Sequence, residues 1–272
     1  MKKNITIYCE GKKGSHDFDI LEKVVPEGTL IVPIGGKKGA NAIIAFREAG
    51  TVKSDFCRMF RDRDFDCSVP DVEQLTFDGN KTLFSYRTTI ENYLFDIEIF
   101  LNFINYRCLN HKYNINSAND VKLLFVESAK EIKYYQAVRH TLGKMRFANS
   151  FNTTWITNGS GTLPLELDFN SCSENGWKLV NDILTKSNHE WTHQIFKSEL
   201  DYFIDKFDEN FFENLDFLVH FQGKDFAKAL TNKLESFPLK DYYNYFKSSF
   251  DFCLYKDLQE LQNIINNQIL KN

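Results

Sequence analysis

Short apolar runs and amphipathic stretches alternate over the first third of the chain. The apolar runs at residues 4–9, 29–34 and 56–60 predict three buried β-strands. Residues 16–25 and 41–49 lie between these runs, and their apolar positions have helical spacing. Strand–helix–strand–helix–strand order at this spacing predicts an α/β fold with a parallel sheet flanked by helices.

The pattern changes after residue 70. Residues 72–77 and 82–86 flank Asp78-Gly79, which predicts a hairpin, and a helix is predicted to begin near Thr88. Further helices are predicted at 96–146 (with a polar break at 114–119), 177–185, 190–207, 225–236 and 242–270. Residues 149–175 are predicted to be irregular, with one short strand at 163–167, and a second short strand is predicted at 217–221. The second region is therefore predicted to be mainly helical.

The length of 272 residues fits one large domain or two modest ones. We expect a catalytic core over residues 1–96 and a mainly helical insert over residues 97–210. We expect a C-terminal segment over residues 211–272, which carries a Gly-Lys pair and further helices.

Charge and composition restrict the function classes. A net charge of −4 is not that of a protein coated with nucleic acid, so any such contact needs a local basic patch. The six cysteines have no C-x-x-C spacing, which argues against a cysteine zinc site and a disulfide framework. No apolar run approaches the ~18 residues of a membrane span, and the first one is too short for a signal peptide. We therefore expect a soluble, cytoplasmic protein.

Carboxylates follow two of the predicted strands. Glu10 follows the first, while Asp62 and Asp64 occupy alternate positions after the third and would share a face in extended chain. Ligands of parallel α/β sheets bind at the carboxyl ends of strands. Carboxylates this close repel each other, and Arg61 and Arg63 alternate onto the opposite face, so a divalent cation such as Mg²⁺ or Mn²⁺ is the expected partner. A charged loop after a strand is the alternative.

Four motifs together resemble a known family. They are Tyr8-Cys9-Glu10-Gly11-Lys12, Phe60-Arg61-Asp62-Arg63-Asp64-Phe65-Asp66, Ile90-Glu91-Asn92-Tyr93-Leu94 and Gly223-Lys224. Their order resembles the Toprim domain, a Rossmann-like fold of topoisomerases, bacterial primases and several nucleases. The chain is most similar to bacterial Toprim-like proteins catalogued as a domain of unknown function, which are related to the Toprim half of the overcoming-lysogenisation-defect nucleases. The resemblance covers roughly the first 96 residues.

The resemblance implies a role for each matched residue. Glu10, Asp62 and Asp64, with Glu91 as a fourth carboxylate, would form an acidic core that holds Mg²⁺ or Mn²⁺ and acts on phosphodiester bonds. Asp66 and Asp17 would be additional ligands or would support the ligands, and Lys224 would steady developing charge. For two of these residues an ordinary structural role is the alternative. Glu91 has capping-box spacing from a threonine, and Lys224 fits an ordinary surface lysine.

The resemblance also implies a biological role. Some members are toxic nuclease effectors of PARIS-type phage-defence systems, paired with an ABC/AAA-like ATPase that restrains them. We therefore expect a Mg²⁺-dependent nuclease that cuts RNA, such as tRNA, or DNA, and that acts as a homodimer under the control of such a partner.

Two lysine pairs are candidates for binding the nucleic-acid backbone. Lys12 and Lys13 follow the first Glu-Gly, and Lys37 and Lys38 lie in a glycine-rich turn before a predicted helix. The second turn lacks the G-x-x-x-x-G-K-[ST] spacing of an ATP site. A solvated tight turn is the alternative for Lys37 and Lys38.

Two other function classes compete with a nuclease. His189-Glu190-x-x-His193 has the spacing of a zinc metallopeptidase, with Glu213 as a third ligand. A predicted N-cap at Ser187-Asn188 argues against it, because His189 would then lie at a fraying helix start. A catalytically inactive Toprim binding module is the other alternative, which the intact carboxylates argue against.

Overall fold

The computed structural model describes residues 5–36, 56–65, 67–79, 81–145, 163–184 and 191–270. The chain divides into two compact units. The first unit comprises Met1–Arg63, Val69–Ile90 and Phe246–Asn272, and the second comprises Asp64–Ser68 and Glu91–Tyr245.

A five-stranded sheet forms the first unit. Its strands are β1 (Ile5–Cys9), β2 (Leu30–Pro33), β3 (Phe56–Arg61), β4 (Thr76–Asp78) and β5 (Thr82–Phe84). The strand order is β2-β1-β3-β5-β4, and only the β4–β5 pair is antiparallel. The α/β class and the mostly parallel sheet are thus confirmed. β1 is buried over its whole length, which explains its continuous apolar run.

The helices that the structure describes follow in chain order. They are α1 (His16–Val24), α2 (Ile97–Tyr106), α3 (Asn110–Tyr113), α4 (Ala118–Glu131), α5 (Lys133–Lys144), α6 (Phe169–Leu184), α7 (His193–Lys206), α8 (Glu209–Glu213), α9 (Phe217–His220), α10 (Gly223–Lys233), α11 (Leu239–Ser249) and α12 (Lys256–Leu270). Short 3₁₀ helices occur at Ile90–Leu94 and Phe252–Leu254. None of these helices is long and apolar enough to cross a membrane.

Of the helices that the structure describes, α1 and α12 cover the sheet of the first unit. α1 packs on β2, while α12 packs on β1 and on α1. Each helix buries an apolar stripe at helical spacing, for example Ile20, Leu21 and Val24 on α1 and Leu258 and Leu261 on α12.

The α12 helix also holds part of the sheet by hydrogen bonds. Asp257, with a fully buried side chain, accepts a hydrogen bond from the backbone N–H of Tyr86 through Oδ2 at 2.9 Å. Glu260 accepts one from the N–H of Leu75 through Oε2, also at 2.9 Å. These carboxylates satisfy backbone donors that flank β4 and β5, so α12 fixes the end of the sheet that leads into the 3₁₀ helix at Ile90–Leu94.

The second unit is a bundle of helices around an aromatic core. α4 contacts α2, α5, α8 and α10, and α5 also packs on α6 and α7. Phe95, Phe125 and Phe226 meet edge to face, with ring centroids 4.9 to 6.1 Å apart. The many phenylalanines of the sequence therefore supply the bulk of this core.

Most early elements lie where the sequence predicts them, but several later ones differ. The helix predicted at 41–49 lies outside the described residues. The strand predicted at 217–221 is wrong, because this segment forms the helical turn α9 followed by its C-cap Phe221, and Phe217 and Phe221 pack with Phe212. The strand at 163–167 is also wrong, since the described chain there is irregular and the helix α6 already begins at Phe169.

Replacement of Asp257 by Ala should lower the free energy of unfolding by about 1–3 kcal/mol, because the backbone N–H of Tyr86 loses the buried carboxylate that accepts its hydrogen bond. Denaturant unfolding followed by circular dichroism measures this loss. Asp251→Ala is the matched control, because the Asp251 carboxylate also accepts a backbone hydrogen bond, from Cys253, but is exposed. Equal losses in the two variants would contradict the role assigned to Asp257.

Candidate functional site

The carboxyl ends of β1 and β3 bring Glu10 and Arg61 together. The strands are parallel neighbours with Tyr8 opposite Met59, so the residues that follow them emerge at the same edge. Arg61 Nε lies 2.8 Å from Glu10 Oε1, and the two side chains are only 15% and 18% exposed. The expectation that Arg61 alternates away from Asp62 and Asp64 did not include this pairing with Glu10. Alternation excludes a contact within one strand, but Glu10 belongs to the neighbouring strand.

Asp62 has a defined structural contact at the same edge. β3 ends at Arg61, and Asp62 Oδ1 accepts a 2.7 Å hydrogen bond from the backbone N–H of Ile90. Ile90 is the first residue of a 3₁₀ helix, so Asp62 caps that helix, a role that the sequence spacing assigns to Thr88. The hydroxyl of Thr88 instead accepts a hydrogen bond from Arg63 Nη2 at 2.9 Å.

Arg63 fixes the position of this segment. Its side chain is 1% exposed, and besides Thr88 its Nε contacts the carbonyl oxygen of Tyr86 at 3.2 Å. The next residue, Asp64, has φ +47°, which is left-handed backbone that Asp tolerates better than most residues. The extended chain that would place Asp62 and Asp64 on one face is therefore absent, and that part of the sequence argument is wrong.

Asp17 lies beside the loop that follows β1. A Cβ on Gly11 would come within 2.8 Å of Asp17 Oδ2 and would also meet Ser15, so only glycine fits here. Burial, followed by the charges of Asp17 and Glu10, raises the pKa of the Cys9 thiol to about 12. The same edge of the first unit thus carries a third carboxylate.

Lys12 and Lys13 project from a tight turn at this edge. The turn is closed by a 2.8 Å hydrogen bond from the N–H of Ser15 to the carbonyl of Lys12, and Gly14 adopts φ +80° within it. Both lysines are exposed. Lys37 and Lys38, predicted to act with them, lie outside the described residues, as does Asp66.

The second unit joins two predicted motifs that are far apart in sequence. Lys224 Nζ lies 3.3 Å from Oε1 of Glu91, and the Glu91 side chain is 9% exposed. Gly223 allows this approach, because a Cβ there would lie 2.8 Å from the backbone nitrogen of Asn92 and from Cβ of Glu91. Asn92 donates a 2.9 Å hydrogen bond through Nδ2 to the carbonyl of Phe221. The two motifs thus form one packed contact.

A buried polar network, which the sequence interpretation missed, supports this contact. Gln136 Nε2 donates to Oδ2 of Asp225 at 2.7 Å, and Arg139 contacts both Asp225 and the side chain of Gln222. Burial lowers the pKa of Arg139, but Asp225 and other partners, including Asp64, raise it by more. Arg139 is therefore a fixed cation within reach of the charge of Asp64.

The sequence of α5 contains a pattern that indicates this network. On α5, polar or small residues recur at helical spacing on a face that is packed against other elements, namely Gln136, Arg139, His140 and Gly143. Arg139 and His140 contact the ring of Phe65, and Gly143 lies against its backbone. One face of α5 therefore connects the end of the acidic motif to the turn that carries Lys224.

The geometry expected of a zinc peptidase is missing from the described helix. α7 begins at His193 after the N-cap Thr192, whose backbone is extended. His193 is therefore the first residue of its helix, and His189 and Glu190 lie outside the described residues. Glu213, the proposed third ligand, is exposed at the end of α8.

The donor chemistry of the carboxylates fits a hard divalent cation. In the described parts of the chain, no group of three or more His, Cys, Asp or Glu is arranged to hold a metal ion. Glu10 nevertheless already binds a cation, the Arg61 guanidinium. Glu91 Oε2 is buried and has no hydrogen-bond partner among the described residues. Carboxylate oxygens in such surroundings are the ligands that Mg²⁺ and Mn²⁺ prefer.

No protein-family model and no curated protein matches this chain. The assignment of function therefore depends on the residues of the chain itself.

Replacement of Gly223 by Ala should lower the free energy of unfolding by about 1–3 kcal/mol, because the new Cβ meets backbone atoms that cannot move aside. Gly176→Ala is the matched control, since a Cβ there meets only the ends of Val138 and Phe196 side chains. Denaturant unfolding of both variants measures the difference. A loss in Gly223→Ala no larger than that in Gly176→Ala would refute the close packing of Gly223 on Glu91.

Proposed function

We propose that this protein is a metal-dependent nuclease of the Toprim type. One observation carries the proposal: Glu10 and Asp62 directly follow two adjacent parallel strands, at the sheet edge where α/β proteins bind ligands. The exposed Lys12 and Lys13 follow Glu10 directly, which adds a basic surface to the same edge. Acidic and basic side chains side by side suit a phosphodiester substrate.

In this proposal Glu10 and Asp62 hold Mg²⁺ or Mn²⁺. The bound ion would neutralise phosphate charge and lower the pKa of a water molecule. The hydrogen bond from Ile90 to Asp62 orients that carboxylate before any ligand arrives, so less ordering is needed on binding. Lys12 and Lys13 hold backbone phosphates of the substrate.

Glu91 and Lys224, which both belong to the second unit, are proposed to have a functional role of their own. A buried carboxylate paired with an exposed lysine supports a functional role for both, because a lysine held by Glu91 and by the packing of Gly223 is positioned more firmly than an ordinary surface lysine. The roles of Asp64, Asp66 and Asp17 as further ligands remain predictions.

The substrate is proposed to be RNA, such as tRNA, or DNA, and the biological role that of a toxic effector in phage defence. The acidic net charge of −4 supports restricted access to substrate, because the chain lacks a broad positive field that would capture polyanions. A restraining ABC/AAA-like ATPase and an active homodimer complete this proposal. A catalytically inactive binding module is the alternative.

Glu10→Gln and Asp62→Asn should each abolish Mg²⁺-dependent cleavage while the fold is retained. Gln keeps the size and shape of the Glu10 side chain, and Asn can still accept the hydrogen bond from Ile90, so stability should change by no more than about 1 kcal/mol. Cleavage of tRNA, total RNA, and single- and double-stranded DNA with and without Mg²⁺ measures activity. Growth inhibition on expression in bacteria should be relieved by the same substitutions.

His193→Ala is the control for this experiment and should cleave like the wild type, because the proposal gives His193 no part. Near wild-type cleavage by Glu10→Gln or Asp62→Asn would remove that residue from the site. A wild-type chain that binds nucleic acid but neither cleaves it nor inhibits growth would favour the inactive binding module.

Charge reversal of Lys12 and Lys13 to Glu should weaken nucleic-acid binding and reduce its salt dependence. The slope of log affinity against log salt should fall by up to about 2, because two fewer counterions are released from the phosphates. Fluorescence anisotropy with a labelled oligonucleotide over a salt series measures this slope. Lys23 and Lys81 are exposed lysines of the same unit, at the end of α1 and before β5, and their reversal is the matched control. The same slope change in both double variants would show a general charge effect and would reject a local binding role for the turn.

A further inference from the structure

We propose that Arg61 is an internal counter-ion of Glu10 that competes with the divalent cation and is released to bind substrate phosphate when that cation binds. This inference rests on the proposed function and concerns the regulation of the same carboxylate. Its basis is that the carboxylate assigned to the metal already holds a positive charge that the chain itself supplies.

The surroundings make the pair strong enough to compete. Arg61 Nε lies 2.8 Å from Glu10 Oε1, and both side chains are largely shielded from water, so the attraction is screened less than at an exposed surface. A divalent cation at Glu10 would place two positive groups on one carboxylate. Because like charges repel in this environment, binding of the ion and retention of the Arg61 contact oppose each other.

Arg61 also has the chemistry to accept a phosphate once released. The planar guanidinium binds phosphate oxygens in a bidentate manner, which a lysine ammonium does not do. Its guanidinium carbon lies 5.2 Å from the ring centre of Phe84, a buried residue of β5, so an aromatic face remains as support when Glu10 is lost as a partner. The displaced charge therefore stays at the sheet edge where the substrate is proposed to bind.

The neighbouring arginines do not fit this role. Arg63 is buried and makes hydrogen bonds to Tyr86 and Thr88, which gives it a structural function. Arg58, earlier in β3, donates to the carbonyl of Cys57 at 2.7 Å and lies over the ring of Phe56. Arg61, by contrast, is paired with the proposed metal ligand Glu10.

A functional consequence follows from this competition. Once the ion has displaced Arg61 from Glu10, a nucleic-acid phosphate can take the place of that carboxylate beside the guanidinium. By linkage, the ion should raise the affinity for substrate and the substrate should raise the affinity for the ion by the same factor. The metal-free chain is then held in a weakly binding state by its own arginine.

Titration of the purified full-length chain with Mn²⁺ alone, followed by calorimetry or by water-proton relaxation, tests the inference. Arg61→Gln should bind Mn²⁺ at least about fivefold more tightly than the wild type, because the competing charge is gone. Arg61→Lys, which keeps the charge, should bind like the wild type, and Arg58→Gln is the matched control for loss of one positive charge from β3. Thermal melting establishes that each variant is folded.

Each outcome decides the inference. Equal or weaker Mn²⁺ binding by folded Arg61→Gln overturns it, as does an equal gain in Arg58→Gln, which would show only a general charge effect. Tighter binding by Arg61→Gln alone supports it, even if no nuclease activity is found, in which case the proposed function fails separately. Absence of Mn²⁺ binding by both wild type and Arg61→Gln overturns the inference and the metal assignment together.

Discussion

The burial of Arg63 is the constraint on which the arrangement of the acidic segment depends. A guanidinium cannot be buried without partners, and here the segment that follows β5 supplies them through the Tyr86 carbonyl and the Thr88 hydroxyl. These contacts tie the residues after β3 to the start of the 3₁₀ helix at Ile90–Leu94. Asp62 is thereby held against the first N–H of that helix, and the chain turns sharply at the next carboxylate.

Two largely buried carboxylates of the chain are each paired with a nearby cation. In the first unit Glu10 is balanced by Arg61, and in the second Glu91 is paired with Lys224. Each pair combines a carboxylate that would be costly to bury alone with a cation of the type that binds phosphate. These ion pairs therefore offset the free-energy cost of burying the carboxylates, and their cations are also suited to a negatively charged substrate. The low net charge of the chain conceals this arrangement, because it reports the sum and not the distribution.

The sequence predicted the elements that depend on local periodicity. β1, β2, β3 and α1 were recoverable because continuous apolar runs and an amphipathic helix have distinct patterns. Phe217–His220 was not, because four consecutive bulky residues fit a strand as well as a buried helical turn, and only packing with other phenylalanines decides between them.

The candidate site was predictable only in its parts. That Glu10 and Asp62 leave the sheet at one edge follows from parallel pairing, but the Arg61 contact depends on the register between two strands. The approach of Gly223 to Glu91 joins residues more than a hundred positions apart, and no local pattern encodes it. The buried network around Arg139 could be suspected from polar residues at helical spacing, but its partners could not be named.

The division of the first unit between the two ends of the sequence has a consequence for biosynthesis. The five strands of its sheet precede the Glu91–Tyr245 part of the second unit along the chain, whereas α12, which contacts β1 and satisfies the N–H groups of Leu75 and Tyr86, follows it and is synthesised later. Until α12 has left the ribosome these hydrogen bonds cannot form, so the strands β4 and β5 acquire their full set of partners only after the second unit has been made.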